Sequence, residues 1–72
     1  MEWTHVDNSS NIAAFRYDED SRTLEVRFLN GSTYQYFDVH VGAYNDLLNP
    51  AEGSYGKAFN RCIKGHFRYA RL

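Results

Sequence analysis

The run Leu24–Tyr36, L-E-V-R-F-L-N-G-S-T-Y-Q-Y, holds two strands and the turn between them. Leu24, Val26 and Phe28 alternate with Glu25 and Arg27, the two-residue period of a strand with one buried face. Asn30-Gly31 supplies residues that tolerate positive φ, and Tyr34 and Tyr36 share one face of the return strand. The length of the loop then sets the role of the tyrosines. With a two-residue loop, Arg27 pairs with Tyr34. Both rings then stand beside Glu25 and Arg27, a platform suited to stacking bases. With a three-residue loop over residues 29–31, a left-handed Gly31 and a bulge, Val26 faces Tyr34 and Leu24 faces Tyr36, so the rings line the core. The first arrangement leaves Thr33 and Gln35 to fill the core. Burying a ring is worth several kcal/mol at roughly 25 cal/mol per Å², which favours the second.

On the N-terminal side, residues 1–11 are polar apart from Trp3 and Val6, and Asn8-Ser9-Ser10-Asn11 reads as a loop. A strand with Phe15 and Tyr17 on one face follows, closed by the polar turn Asp18-Glu19-Asp20-Ser21. On the C-terminal side, Asp38 is placed to cap a short helix whose stripe is Tyr44, Leu47 and Leu48, and Asn49-Pro50 ends it. Ser54 is placed to cap a second helix with Tyr55, Phe59, Cys62 and Ile63 on its buried side, and Gly65 is its stop. Phe67 and Tyr69 alternate with Arg68 and Ala70, as in a short closing strand or an extended tail. The expected architecture is α+β: a three-stranded antiparallel meander with two short helices packed on one face, with that short C-terminal strand as an addition.

Seventy-two residues make a single small domain near the lower limit for a core without staples, and six Tyr, five Phe and one Trp supply the apolar area. Cys62 is the only cysteine, so no disulfide closes within the chain, in keeping with a reducing compartment. The first fifteen residues hold no apolar run. The expectation is a cytoplasmic protein that starts at Met1, with neither a signal peptide nor a membrane partner. The net charge of −1 provides no overall steering toward polyanions. Its distribution is uneven. Residues 52–72 carry Lys57, Arg61, Lys64, Arg68 and Arg71 against Glu52, a net of +4, whereas residues 1–51 carry three arginines against eight acids, a net of −5. A basic end on an acidic body points to an anionic partner.

The run Ser9-Ser10-Asn11-Ile12, then Tyr17-Asp18, Leu24-x-Val26-x-Phe28, Gly31 and Tyr34-x-Tyr36 resembles the KTSC domain. Val39, Tyr44, Ser54-x-Gly56, Phe59-Asn60, Ile63-Lys64 and Arg71-Leu72 extend the likeness over residues 9–72, leaving 1–8 as an N-terminal extension. The domain takes its name from the C-terminus of some lysyl-tRNA synthetases and also occurs as a small free-standing protein. No activity is established for the family, and the resemblance implies RNA binding from the company the domain keeps. Two departures stand out: Glu52-Gly53 sets Ala51 one residue further from Ser54, and Val39 precedes His40 where a Val-Pro pair is usual.

At about 100° per residue, Lys57, Arg61 and Lys64 fall on one side of the second helix, opposite its apolar stripe, with Arg68 and Arg71 positioned to extend the row. Such a stripe can neutralise successive phosphates. A solvated helix face whose cations favour the helix C-terminus explains the same pattern. The candidate nucleic-acid-binding residues are therefore Lys57, Arg61, Lys64, Arg68 and Arg71, joined by Tyr34 and Tyr36 if the hairpin exposes them. Catalysis has little support. Cys62 and His66 have i, i+4 spacing, but Gly65 falls between them and Cys62 lies on the apolar stripe. One cysteine with the dispersed His5, His40 and His66 does not make a zinc site, and Asp18-Glu19-Asp20 lacks the spacing of a calcium loop. No cofactor is expected. The leading expectation is a non-catalytic module that binds RNA or single-stranded nucleic acid. The alternative is a protein-interaction module, self-associating or recognising a larger partner.

Overall fold

The computed structural model describes residues 3–7, 11–49 and 55–72. The hairpin takes the three-residue loop. Strands β3 (Thr23–Phe28) and β4 (Thr33–Tyr36) pair with Leu24 opposite Tyr36 and Val26 opposite Tyr34. Gly31 N–H donates to the Phe28 carbonyl at 3.0 Å, and Gly31 has φ of 91°. A left-handed residue there costs glycine little, which is why the turn can be this short.

The expected three-stranded meander is corrected to a five-stranded antiparallel sheet in the order β1-β2-β3-β4-β5. Strand β2 (Ile12–Asp18) is the expected first strand. Strand β1 (Thr4–His5) lies in the polar N-terminal extension, where no strand was expected, and β5 (Tyr69–Arg71), the short C-terminal strand, closes the other edge against β4. Strand β1 carries no alternation of its own. It pairs with β2 through Thr4 opposite Phe15 and His5 opposite Ala14, and beside it the Trp3 ring lies 4.4 Å from the Arg16 guanidinium and 4.5 Å from that of Arg27. Strand β5 follows from the register Tyr36 opposite Tyr69, which completes an aromatic layer.

Helices α1 (Val41–Leu48) and α2 (Tyr55–Cys62) pack on one face of the sheet. A register shift between Ile12 and Ala14 turns Ile12 onto the same side as Phe15, and both are fully buried there with Leu24, Val26, Val39, Leu47 and Ile63. Without the bulge, Ile12 would share the outward face of Ala14. On the open face Glu25 is nearly buried. It accepts from Arg16 Nε at 3.0 Å and Nη2 at 2.8 Å on one oxygen, and from Gln35 Nε2 at 3.3 Å on the other. Each oxygen of this enclosed side chain therefore has a donor, which offsets the cost of its burial.

The cap of α1 also differs from expectation. His40, not Asp38, is the N-cap, its Nδ1 accepting from the Ala43 N–H at 3.1 Å. Asp38 has φ of 57° and accepts from Arg68 Nη2 at 3.3 Å. An imidazole nitrogen reaches the orphan N–H from one residue before the helix, where Asp38 is too far back. The expected cap Ser54, the Asn8-Ser9-Ser10 loop, the Pro50 stop and the Glu52-Gly53 insertion lie outside the described residues. At the end of α2, the N–H groups of Ile63 and Lys64 both donate to the Phe59 carbonyl at 2.9 Å, and Gly65, with φ of 82°, turns the chain away.

Candidate functional site

Tyr34 and Tyr36 follow from the hairpin register: both point to the helix side of the sheet, and Tyr36 meets Phe59 of α2 there. Around them five rings close a circuit. Phe28 meets Tyr34 at a centroid distance of 5.6 Å, Tyr34 meets Tyr69 at 5.6 Å, Tyr69 meets Tyr36 at 5.6 Å, Tyr36 meets Phe59 at 5.5 Å, and Phe59 returns to Phe28 at 5.5 Å. The contacts of Phe28 and Phe59 are edge-on, at 77–85°, whereas Tyr69 tilts by 34–44° against both tyrosines. This circuit lines a cleft of about 290 Å³. Phe59 and Tyr36, 2% and 5% exposed, form its floor, while Tyr69, 62% exposed, stands at its rim.

The polar lining is specific. Asn60 on α2 and Lys64 just past it contribute from the helix, and Asn30 and Ser32 from the hairpin tip. Arg71, opposite Tyr34 in the register, donates from Nη2 to the Ser32 Oγ at 3.1 Å, so a second cation, itself outside the lining, is tied to a hydroxyl that lines the cleft. Among the described residues, no carboxylate lines the cleft. Burial pushes the Tyr36 phenol up to about 12, with Tyr34 and Tyr69 adding to the effect, so the floor stays uncharged at physiological pH. Burial likewise raises Tyr17 and Tyr44, which stack on each other at 4.4 Å away from the cleft. Tyr17 also donates its hydroxyl hydrogen to the Val39 carbonyl.

The structure therefore brings together Tyr34, Tyr36 and Lys64 from the expected set, with Arg71 at the margin. Lys57 and Arg61 are exposed on α2 and do not line the cleft. Arg68 bridges to Asp38 at 3.3 Å, both side chains being largely exposed. The two-residue loop and its outward tyrosine platform do not form: Tyr36 is core, Tyr34 is half-buried, and the ring that reaches solvent is Tyr69. Sequence reasoning missed Tyr69 and Asn60. The i, i+4 spacing of Asn60 and Lys64 was a usable signal for one helix face, but the pairing of β5 with β4 has no local one. Arg16 and Arg27, engaged with Trp3 on the opposite face of the sheet, also lay outside the expected set. Among the described residues, no group of three or more His, Cys, Asp or Glu side chains could hold a metal ion, and no helix is long and apolar enough to cross a membrane. Cys62 is half-buried and His66 exposed.

Residues 8–67 match the family described as the KTSC domain. The chain is 41% identical over 64 residues, 88% of its length, to a lysine–tRNA ligase of Nostoc sp., and 40% identical over 63 residues to that of Nostoc punctiforme. It spans only 11% of the length of these ligases. It is also similar, at 39% identity, to a small protein of Tsukamurella paurometabola, of which the match covers 92%. The crystal structure of a KTSC domain protein from Yersinia pestis superposes with a TM-score of 0.86 at 35% identity, over 99% of this chain and 96% of that one.

Proposed function

The chain belongs to the KTSC domain family, and from that premise we propose that it is a non-catalytic cytoplasmic module that binds RNA or another single-stranded nucleic acid. One observation carries the reading: Tyr34, Tyr36 and Lys64 line a single cleft, so aromatic surface and positive charge meet at one place. Unpaired bases offer flat apolar faces, and the phosphates beside them offer negative charge, so a site combining rings with cations suits single strands better than duplexes. Lys57 and Arg61 lie on α2, the helix whose end supplies Lys64, and would take neighbouring phosphates. That the similar ligases act with a tRNA agrees with an RNA ligand.

Binding of a labelled single-stranded RNA, measured across salt concentrations, tests the proposal. Three phosphate contacts give a slope of about −2 in log K against log salt. The double variant Lys57→Ala/Arg61→Ala should flatten that slope to about −0.7. Binding that ignores salt, or that the double variant leaves untouched, removes the reading. The alternative, self-association or a protein partner, is favoured by β5: it is the last strand of the sheet, and Tyr69 within it and Leu72 just after it are more than half exposed. A sedimenting mass that rises with concentration would support that alternative.

A further inference from the structure

We infer that the aromatic cleft takes one nucleotide, its base among the five rings and its phosphate between Lys64 and Arg71. This deepens the nucleic-acid reading and rests on it. Size comes first. At about 290 Å³ the cleft stands at the lower end of small-ligand sites, roughly 300–1,000 Å³, so a single ring system enters and a base pair or a stacked run does not. The rings then decide the kind of occupant. Tyr69 is tilted and exposed while Phe59 and Tyr36 are fixed beneath it, so a planar group entering the cleft gains a stacking partner at the rim and an apolar floor.

A ring-lined site also suits a quaternary or methylated ammonium group. Charge decides against it here. Among the described residues the cleft is lined by Lys64 and by no carboxylate, Arg71 hydrogen-bonds the lining Ser32, and burial favours the neutral Tyr36 phenol. A cation would meet like charge on entry, whereas a phosphate meets two cations. Asn60 and Asn30 add amides with both donors and acceptors, the groups that address the polar edge of a base. An isolated nucleotide has every one of these features, so it needs no strand to be recognised.

The experiment is an NMR titration of the isotope-labelled full chain with uridine and adenosine monophosphates, the matching nucleosides, inorganic phosphate, tetramethylammonium and a short single-stranded RNA, each up to about 10 mM. Saturable shifts at Tyr34, Asn60, Gly65 and Tyr69 with the monophosphates, weaker with the nucleosides, are expected. Lys64→Gln should weaken the monophosphates about three- to tenfold and leave the nucleosides unchanged. Tyr69→Ala should weaken both by about fivefold or more, as loss of a stacking face requires. Because Lys64 and Tyr69 are exposed, neither change should unfold the domain, and the dispersion of the spectrum reports that directly. Phosphate alone reproducing the full response, tetramethylammonium occupying the cleft, or no response to the monophosphates overturns the inference. If RNA then shifts Lys57 and Arg61 with the cleft silent, the single-nucleotide inference fails and the broader nucleic-acid reading stands. If RNA shifts nothing, both fail.

Discussion

Removing the Tyr36 hydroxyl should change how the domain meets alkali. The phenol is 5% exposed, and burial raises it from an ordinary 10.0 to about 12. The neutral form is thus favoured in the folded chain, and this contribution is fully present below pH 10. Between the two values the unfolded chain has released the proton while the folded chain still holds it, so stability falls as pH rises. Two pK units at about 1.36 kcal/mol each give a maximum loss of about 2.7 kcal/mol, of which about 2 kcal/mol is reached by about pH 11.5. For 72 residues at roughly 0.05–0.15 kcal/mol each, total stability is about 4–11 kcal/mol, so the loss is large enough to measure. Urea unfolding followed by circular dichroism, from about pH 8 to about pH 11.5, should show the wild-type free energy dropping faster than that of Tyr36→Phe. Tyr17 and Tyr44 are raised too and titrate in both chains, so the difference between the curves isolates Tyr36. Parallel curves across the whole range refute the claim that the cleft floor holds a proton against solvent.

Two further changes test how the sheet is assembled. Trp3→Ala removes both guanidinium contacts and should cost about 1–2 kcal/mol, at roughly 0.5–1 kcal/mol per contact, read from the urea midpoint; an unchanged midpoint would mean that β1 is held by its backbone pairing alone. Gly31→Ala meets no atom within 4 Å, so any loss is conformational, about 1 kcal/mol or more at φ of 91°. A thermal midpoint equal to wild type would show that the hairpin tip is not left-handed in solution.

The hairpin was legible in the sequence because its evidence is local. Three apolar residues at alternate positions, a glycine and two tyrosines allow two registers, and only one of them gives the tyrosines a core to enter. Helix α2 was legible for the same reason, through the spacing of Tyr55, Phe59 and Ile63 and the stop at Gly65. The cap of α1 was misplaced because Asp is a common cap and His an uncommon one, while the backbone path past Val39 puts His40 at the right distance.

The candidate site divides along the same line. Its tyrosines and Lys64 stand out in the sequence by type and position, yet their meeting does not, because it depends on β5 returning to lie beside β4. Of the five expected cations, Lys64 lines the cleft, Arg71 donates to Ser32, Arg68 bridges to Asp38, and Lys57 and Arg61 stand exposed on α2 outside the cleft. Local spacing, turn chemistry and apolar periodicity settled the α+β class and the second helix and favoured one of two hairpin registers, since each is governed by neighbours a few residues apart. Only the folded chain decided the first strand, the pairing of the closing strand with β4, the circuit of five rings and the charge beside it, because those arise from side chains up to about forty residues apart whose contacts leave no period in the sequence.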